Sequence, residues 1–90
     1  KAQGNYKDEH PEGKWVSYYE SGKVSYEENY VDGKPEGKWV WYYESGQVWQ
    51  EENYKDGKLD GKRVGYDEDG TIQAESCYKN GEYVDMSLCE

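Results

Sequence analysis

The sequence predicts an all-β protein, an elongated single-layer antiparallel meander of tandem β-hairpins, and three observations carry that prediction. A block of 24 residues recurs without a gap, as EGKWVSYYESGKVSYEENYVDGKP at 12–35, EGKWVWYYESGQVWQEENYKDGKL at 36–59 and DGKRVGYDEDGTIQAESCYKNGEY at 60–83. The first two units agree at 18 of 24 positions and the second and third at 10, and self-similarity at such a period marks a repeat architecture. Each unit also holds two short runs rich in Tyr, Val and Trp, with no helical-period stripe and with Gly-bearing turn signals at both ends.

The elements follow in order. The first run of each unit is Lys14–Tyr19, Lys38–Tyr43 or Lys62–Asp67, and the second is Lys23–Tyr30, Gln47–Tyr54 or Thr71–Tyr78. Glu20-Ser21-Gly22, Glu44-Ser45-Gly46 and Glu68-Asp69-Gly70 join the two runs. Asp32-Gly33, Asp56-Gly57 and Asn80-Gly81 supply the turn between units. Upstream, Asn5-Tyr6-Lys7-Asp8 aligns with the ends of later units, so residues 1–11 read as a partial repeat. The first residue, Lys1, is not Met, which suggests a processed or trimmed form, and 84–90 (VDMSLCE) reads as a terminal cap on a single repeat domain.

Register decides which side chains share a face. A three-residue loop with Gly in the left-handed position sets Val16, Tyr18, Val24 and Tyr26 on one face, with Val40, Tyr42, Val48 and Gln50, then Val64, Tyr66, Ile72 and Ala74 as equivalents. These positions change little between units. The other face then carries Trp15, Ser17 and Tyr19, then Trp39, Trp41, Tyr43 and Trp49, then Arg63, Gly65 and Asp67. It varies from unit to unit, and variable positions on a repeat scaffold are where a partner is discriminated. Trp15, Tyr19, Trp39, Trp41, Tyr43 and Trp49 are therefore the candidate anchors for a protein partner. The competing reading is that these rings stack across strands and only stabilise a thin sheet, at roughly 0.5–1.5 kcal/mol per pair.

Composition bears on the same question. Only 33% of the 90 residues are hydrophobic and the net charge is −9, a balance usually found in disordered chains. Yet 17% are aromatic, which a disordered chain rarely is. An acidic chain whose lysines are scattered singly is a poor ligand for nucleic acid or an anionic membrane surface, whereas it suits a basic protein partner. Glu27/Glu28 and Glu51/Glu52 are expected at the sheet edges, as a solvated acidic rim opposing edge-to-edge association.

No catalytic set emerges, and neither a cofactor nor a metal is expected. The single histidine, His10, falls in a loop-like stretch before Pro11 and reads as solvated. Gly33-Lys-Pro-Glu-Gly37-Lys38 and Gly57-Lys-Leu-Asp-Gly61-Lys62 mimic phosphate loops, but each is one residue short and is followed by Trp39 or Arg63 where Ser or Thr must hold Mg²⁺. Asp56-x-Lys58-x-Asp60-Gly61 and the 67–70 run are similar to EF-hand loops, yet Lys58 occupies a ligand position. Cys77 and Cys89 are the only cysteines. A disulfide between them would tie the tail over the terminal hairpin, worth on the order of 3 kcal/mol, and would place the protein outside the reducing cytosol, in the periplasm, at the cell surface or secreted. Two buried thiols or a redox pair are the alternatives.

The unit GKWVWYYESGQVWQEENYKDGK resembles the MORN-repeat variant of bacterial antitoxin-like repeat proteins, whose pattern is matched by Gly13, Lys14, Trp15, Tyr18, Tyr19, Gly22, Glu27, Tyr30, Gly33 and Lys34 and their counterparts 24 residues on. The third unit departs from it at Arg63 and Asp67. The resemblance implies consecutive hairpins used as a scaffold for protein contacts, an antitoxin- or immunity-like role, and a bacterial origin. A second resemblance, to choline- or cell-wall-binding repeats with a W-x-x-Y-Y…G hairpin, implies instead a cage of aromatic rings for a carbohydrate or a quaternary ammonium. Self-association through the aromatic face is the third reading.

Overall fold

The computed structural model describes residues 2–7 and 9–89. Lys1, Asp8 and Glu90 lie outside the described residues, as does the side chain of Ala2, so the N-terminal processing reading at Lys1 and the ends of the partial repeat and the tail at Asp8 and Glu90 fall there too. The strands are β1 (Ala2–Lys7), β2 (His10–Tyr18), β3 (Val24–Val31), β4 (Lys34–Pro35), β5 (Gly37–Tyr42), β6 (Val48–Lys55), β7 (Lys58–Leu59), β8 (Gly61–Tyr66), β9 (Ile72–Lys79) and β10 (Glu82–Val84), followed by a 3₁₀ turn at Met86–Cys89. They form one antiparallel sheet in the order β1-β2-β3-β5-β6-β8-β9-β10, with the two-residue strands β4 and β7 pairing β3 and β6. The chain is therefore an all-β meander of hairpins. Its principal extents of 37 × 33 × 14 Å describe a thin plate, which at this number of units is nearly as wide as it is long.

The loop within each unit has the three-residue form. Tyr19 N–H donates to the Lys23 carbonyl at 2.8 Å and Gly22 N–H to the Tyr19 carbonyl at 2.9 Å, around Glu20-Ser21-Gly22. Gly22 sits at φ 92°, in the left-handed region where a Cβ is costly. The same bonds recur at Tyr43/Gln47/Gly46 and at Asp67/Thr71/Gly70. Between units, Val31 pairs with Lys34 across Asp32 (φ 52°) and Gly33 (φ 80°), a two-residue turn whose positive φ values match the twist of the flanking strands.

The faces differ from the expectation at one point. Tyr18 pairs with Val24, but the next pair is Ser17 with Tyr26, so Ser25 is an extra residue on β3. The same bulge recurs between Trp41 and Tyr42 and between Gly65 and Tyr66, leaving Trp49 and Gln73 as the extra residues. A bulge swaps the face of everything beyond it. Val16, Tyr18 and Val24 do share a face, but Tyr26, Gln50 and Ala74 lie on the other one, opposite Ser17, Trp41 and Gly65.

The glutamate pairs also sit elsewhere than expected. Glu27, Glu28, Glu51 and Glu52 lie in mid-strand, paired with Val16, Trp15, Val40 and Trp39, rather than on a rim. Each accepts a tyrosine hydroxyl: Glu27 from Tyr42 at 3.1 Å, Glu28 from Tyr30 at 2.8 Å, Glu51 from Tyr66 at 3.0 Å and Glu52 from Tyr54 at 2.9 Å. Glu52 is only 6% exposed, and such a burial needs these partners. His10 opens β2 as an exposed strand residue rather than lying in a loop.

Little conventional core exists. Val40 and Val64, at 7% exposure, and the fully buried Cys77 form it on one face, with half-buried Val16 at the same repeat position as the two valines. Units are joined instead by a repeated set of polar bonds. Asn29 and Asn53 donate side-chain N–H to the carbonyls of Lys38 and Lys62. Within each unit, Asp32, Asp56 and Asn80 donate backbone N–H to the carboxylates of Glu12, Glu36 and Asp60, closing the unit's last turn onto its first residue. Cys77 takes the place of Asn29 and Asn53 in the last unit, and there a disulfide to Cys89 replaces the amide bond.

Candidate functional site

The bulge gathers the aromatics onto one face. With Tyr26, Tyr30 and Tyr54 now beside the tryptophans, edge-on ring contacts run from Tyr6 to Trp15 (4.9 Å between centroids), Trp15 to Tyr30 (6.4 Å) and Tyr30 to Trp39 (5.3 Å). Trp39 contacts both Tyr54 (5.0 Å) and Trp41 (6.0 Å), and the line ends in Trp41–Trp49 and Trp49–Tyr43, each at 6.4 Å. Cross-strand pairs in these geometries contribute about 0.5–1.5 kcal/mol each beyond burial, so the ladder ties the first two units to β1.

The polar ends of these rings are used locally. Trp15 and Trp39 donate their indole N–H to the carbonyls of Asn5 and Asn29, at 3.1 and 3.0 Å. Gly4 makes room for the Trp15 ring, since a Cβ there would lie 2.2 Å from it. Tyr19 and Tyr43 each donate a hydroxyl to a backbone carbonyl of the next unit, at Tyr42 and Tyr66. Asp67 occupies the same position in the third unit and instead accepts the Thr71 hydroxyl within its own loop, at 3.2 Å.

Of the six candidate anchors, five fall in one connected patch: Trp15, Trp39, Trp41, Tyr43 and Trp49. Tyr19 stands apart from the ring contacts and acts as a staple between units. Trp49, on the bulge, is the most open of them at 37% exposed, while the other five are half-buried. Tyr26, Tyr30 and Tyr54 belong to the same face and were missed. The extra residue that puts them there is Ser25, Trp49 or Gln73 in successive units, and no shared residue type announces it.

The third unit breaks the ladder. Arg63 stands where Trp15 and Trp39 stand, and its Nε bonds Glu52 at 2.8 Å. Gly65 and Ala74 replace Trp41 and Gln50, and the lost volume leaves a depression of about 300 Å³ bounded by Trp49, Tyr43, Arg63 and Tyr66 and floored by Gly65 and Ala74. Burial, and then the bond to Glu52, push the Tyr54 hydroxyl up to about 12. Tyr30, Tyr42 and Tyr66 are raised in the same way, burial leading and the bonds to Glu28, Glu27 and Glu51 following. These hydroxyls are therefore donors across the whole physiological range.

The loops add a charged margin. Glu20, Glu44, Asp67, Glu68 and Asp69 are exposed along the side of the plate where the hairpins turn, with Lys23 the one cation among the described loop residues. Among the described residues, no group of three or more His, Cys, Asp or Glu side chains comes together to hold a metal.

The repeated geometry has a counterpart in known families. The model of the MORN repeat variant matches residues 11–32, 35–56 and 59–80. The chain belongs to the MORN repeat variant family. No curated protein and no solved structure matches it. The three MORN repeats coincide with β2–β3, β5–β6 and β8–β9 with their turns, so the side-chain bonds of Tyr19, Asn29, Tyr43 and Asn53 each connect one MORN repeat to the next, whereas the backbone bonds of Asp32, Asp56 and Asn80 close within one. MORN repeats serve generally as binding or scaffolding modules, and the disulfide is compatible with an extracellular location.

Proposed function

We propose that this chain is a non-catalytic module that binds a protein partner on its Trp/Tyr face, with the acidic loop margin steering a basic surface towards it. The observation that carries this reading is Trp49. It is the most exposed of the candidate anchors, continues the aromatic ladder from Trp41 to Tyr43, and borders the depression over Gly65 and Ala74. Its equivalents, Ser25 and Gln73, occupy the same bulge, so the backbone does not require an indole there.

An antitoxin- or immunity-like role needs nothing more than such a contact, since it neutralises by occupying a surface. The disulfide favours a site of action in the periplasm, at the cell surface or in the medium. Choline or another quaternary ammonium is disfavoured by Arg63, whose positive charge borders the one aromatic-walled depression described. The test is affinity capture from the native extract with the wild-type chain and with the Trp41→Ser/Trp49→Gln variant side by side. A protein retained by the first and not the second supports the reading. Tryptophan fluorescence that responds to choline or cell-wall glycans, with no protein retained, contradicts it.

A further inference from the structure

Among the described residues, the outer edge of β9 over 72–75 has no covering strand, unlike its counterparts. In each earlier unit the second strand is covered by the first strand of the next: Tyr26 with Trp41 and Glu27 with Val40 join β3 to β5, and Gln50 with Gly65 and Glu51 with Val64 join β6 to β8. β1 is held in the same register, through Ala2 with Ser17 and Gln3 with Val16. The corresponding residues of β9 are Ala74 and Glu75. β10 pairs only beyond them, at Cys77, Tyr78 and Lys79, after which the chain leaves for the 3₁₀ turn anchored by the disulfide. Residues 72–75 are all exposed, Ile72 at 56%.

Two side-chain features at this edge match a missing strand. Glu27 and Glu51 each accept a tyrosine hydroxyl from the following unit, whereas among the described residues Glu75 meets the Lys62 ammonium, at 3.8 Å, and no tyrosine hydroxyl bond. The depression over Gly65 and Ala74 lies on the face to which a residue opposite Ala74 would project, as Trp41 does opposite Tyr26.

We infer that the β9 edge over residues 72–75 receives an antiparallel strand from another protein, reading Val-aromatic-Tyr. Its valine lies opposite Glu75, its aromatic ring opposite Ala74 fills the depression, and its tyrosine hydroxyl bonds the Glu75 carboxylate. The pattern is that of Val40-Trp41-Tyr42, the strand that covers this register one unit earlier. Backbone bonds to an open edge give such a complex its affinity and the side-chain positions its selectivity. A second copy of this chain fits poorly. β1 and β9 are separated by an even number of antiparallel steps and run in the same direction, so stacking copies head to tail with the same face up would demand parallel pairing, and flipping one copy would set the aromatic faces on opposite sides. Two β9 edges meeting about a two-fold axis would bring together two chains of net charge −9, each presenting Glu75. The inference is independent of the partner proposed for the aromatic face, because it rests on the sheet edge.

The probe is a labelled peptide of residues 37–44, GKWVWYYE, added to the full isotope-labelled chain. Saturable anisotropy, with amide shifts concentrated at residues 72–75, is the expected result. Replacing the peptide's second tryptophan by serine, or making Glu75→Ala or Ala74→Trp in the protein, is expected to weaken binding by about fivefold each. Equal binding of a scrambled peptide, shifts confined to β1 or to the Trp15–Trp39 region, or concentration-dependent sedimentation of the chain alone with residues 72–75 protected, overturns it. Capture results for Trp49→Gln do not enter this test, so either proposal can fail without the other.

Discussion

Tyr43 donates its hydroxyl to the backbone carbonyl of Tyr66 at 2.7 Å, bridging one unit to the next on the side where the hairpins turn. The bond explains why tyrosine is repeated at positions 19 and 43 and absent at 67. Among the described residues no hairpin follows the third unit, whose Asp67 closes its own loop instead. Tyr43→Phe removes the donor, keeps the ring against Trp49, and is expected to cost about 0.5–1.5 kcal/mol in urea unfolding. Asp67→Phe, made at the equivalent position, should cost no bond between units. No loss in Tyr43→Phe would show that ring packing, and not the hydroxyl, matters.

Glu9 occupies the place that Gly33, Gly57 and Gly81 fill in the later turns, and it does so at φ 67°. A side chain in the left-handed region costs roughly 1–2 kcal/mol, part of which glycine returns through the greater freedom of its unfolded chain. Glu9→Gly is expected to stabilise the protein by about 0.5–1 kcal/mol, read as a raised urea midpoint with an unchanged slope.

The tyrosine–glutamate bonds predict loss of stability in alkali. Tyr54 has its pKa pushed to about 12 in the folded chain, against about 10 when unfolded. The neutral hydroxyl is thus favoured by folding; its contribution is complete below pH 10 and is lost as pH rises towards 12. Tyr30, Tyr42 and Tyr66 act in the same direction. Thermal melts should fall between about pH 10 and 12, with tyrosinate absorbance rising later than for free tyrosine, and Tyr54→Phe should flatten that fall.

The disulfide is the staple of the last unit. Cys77 is fully buried and its partner is 12 residues away, so closing the loop is worth on the order of 3 kcal/mol. Reduction, or Cys89→Ser, is expected to lower stability by about that amount, and hydrogen exchange should show β10 and the 3₁₀ turn opening before β5 and β6.

Much of this was legible in the sequence because a repeat states its own rules. Gly22, Gly46 and Gly70 mark the three-residue loops, Asp-Gly and Asn-Gly the two-residue turns, and Cys77 in an asparagine position the disulfide. What could not be read was the bulge at Ser25, Trp49 and Gln73. It depends on how the strands twist against each other, and no residue type is required there. One unread residue moved Tyr26, Gln50 and Ala74 across the sheet, and Glu27, Glu28, Glu51 and Glu52 proved to be interior acceptors because every one is met by a tyrosine from a neighbouring position. The depression beside Arg63 was hidden for a related reason. It arises from two small residues, Gly65 and Ala74, that only the bulged register sets opposite each other.

The central claim is that the ladder holds the fold while its most exposed tryptophan, Trp49, makes the contact. The most direct measurement compares Trp49→Gln with wild type, by thermal melting and by affinity for whichever protein the wild type retains from its native extract. The account predicts a variant that still folds cooperatively, its loss confined to the about 1–3 kcal/mol of its two ring contacts, with affinity reduced at least about tenfold. A variant that melts far lower yet binds its partner as tightly as before would contradict it.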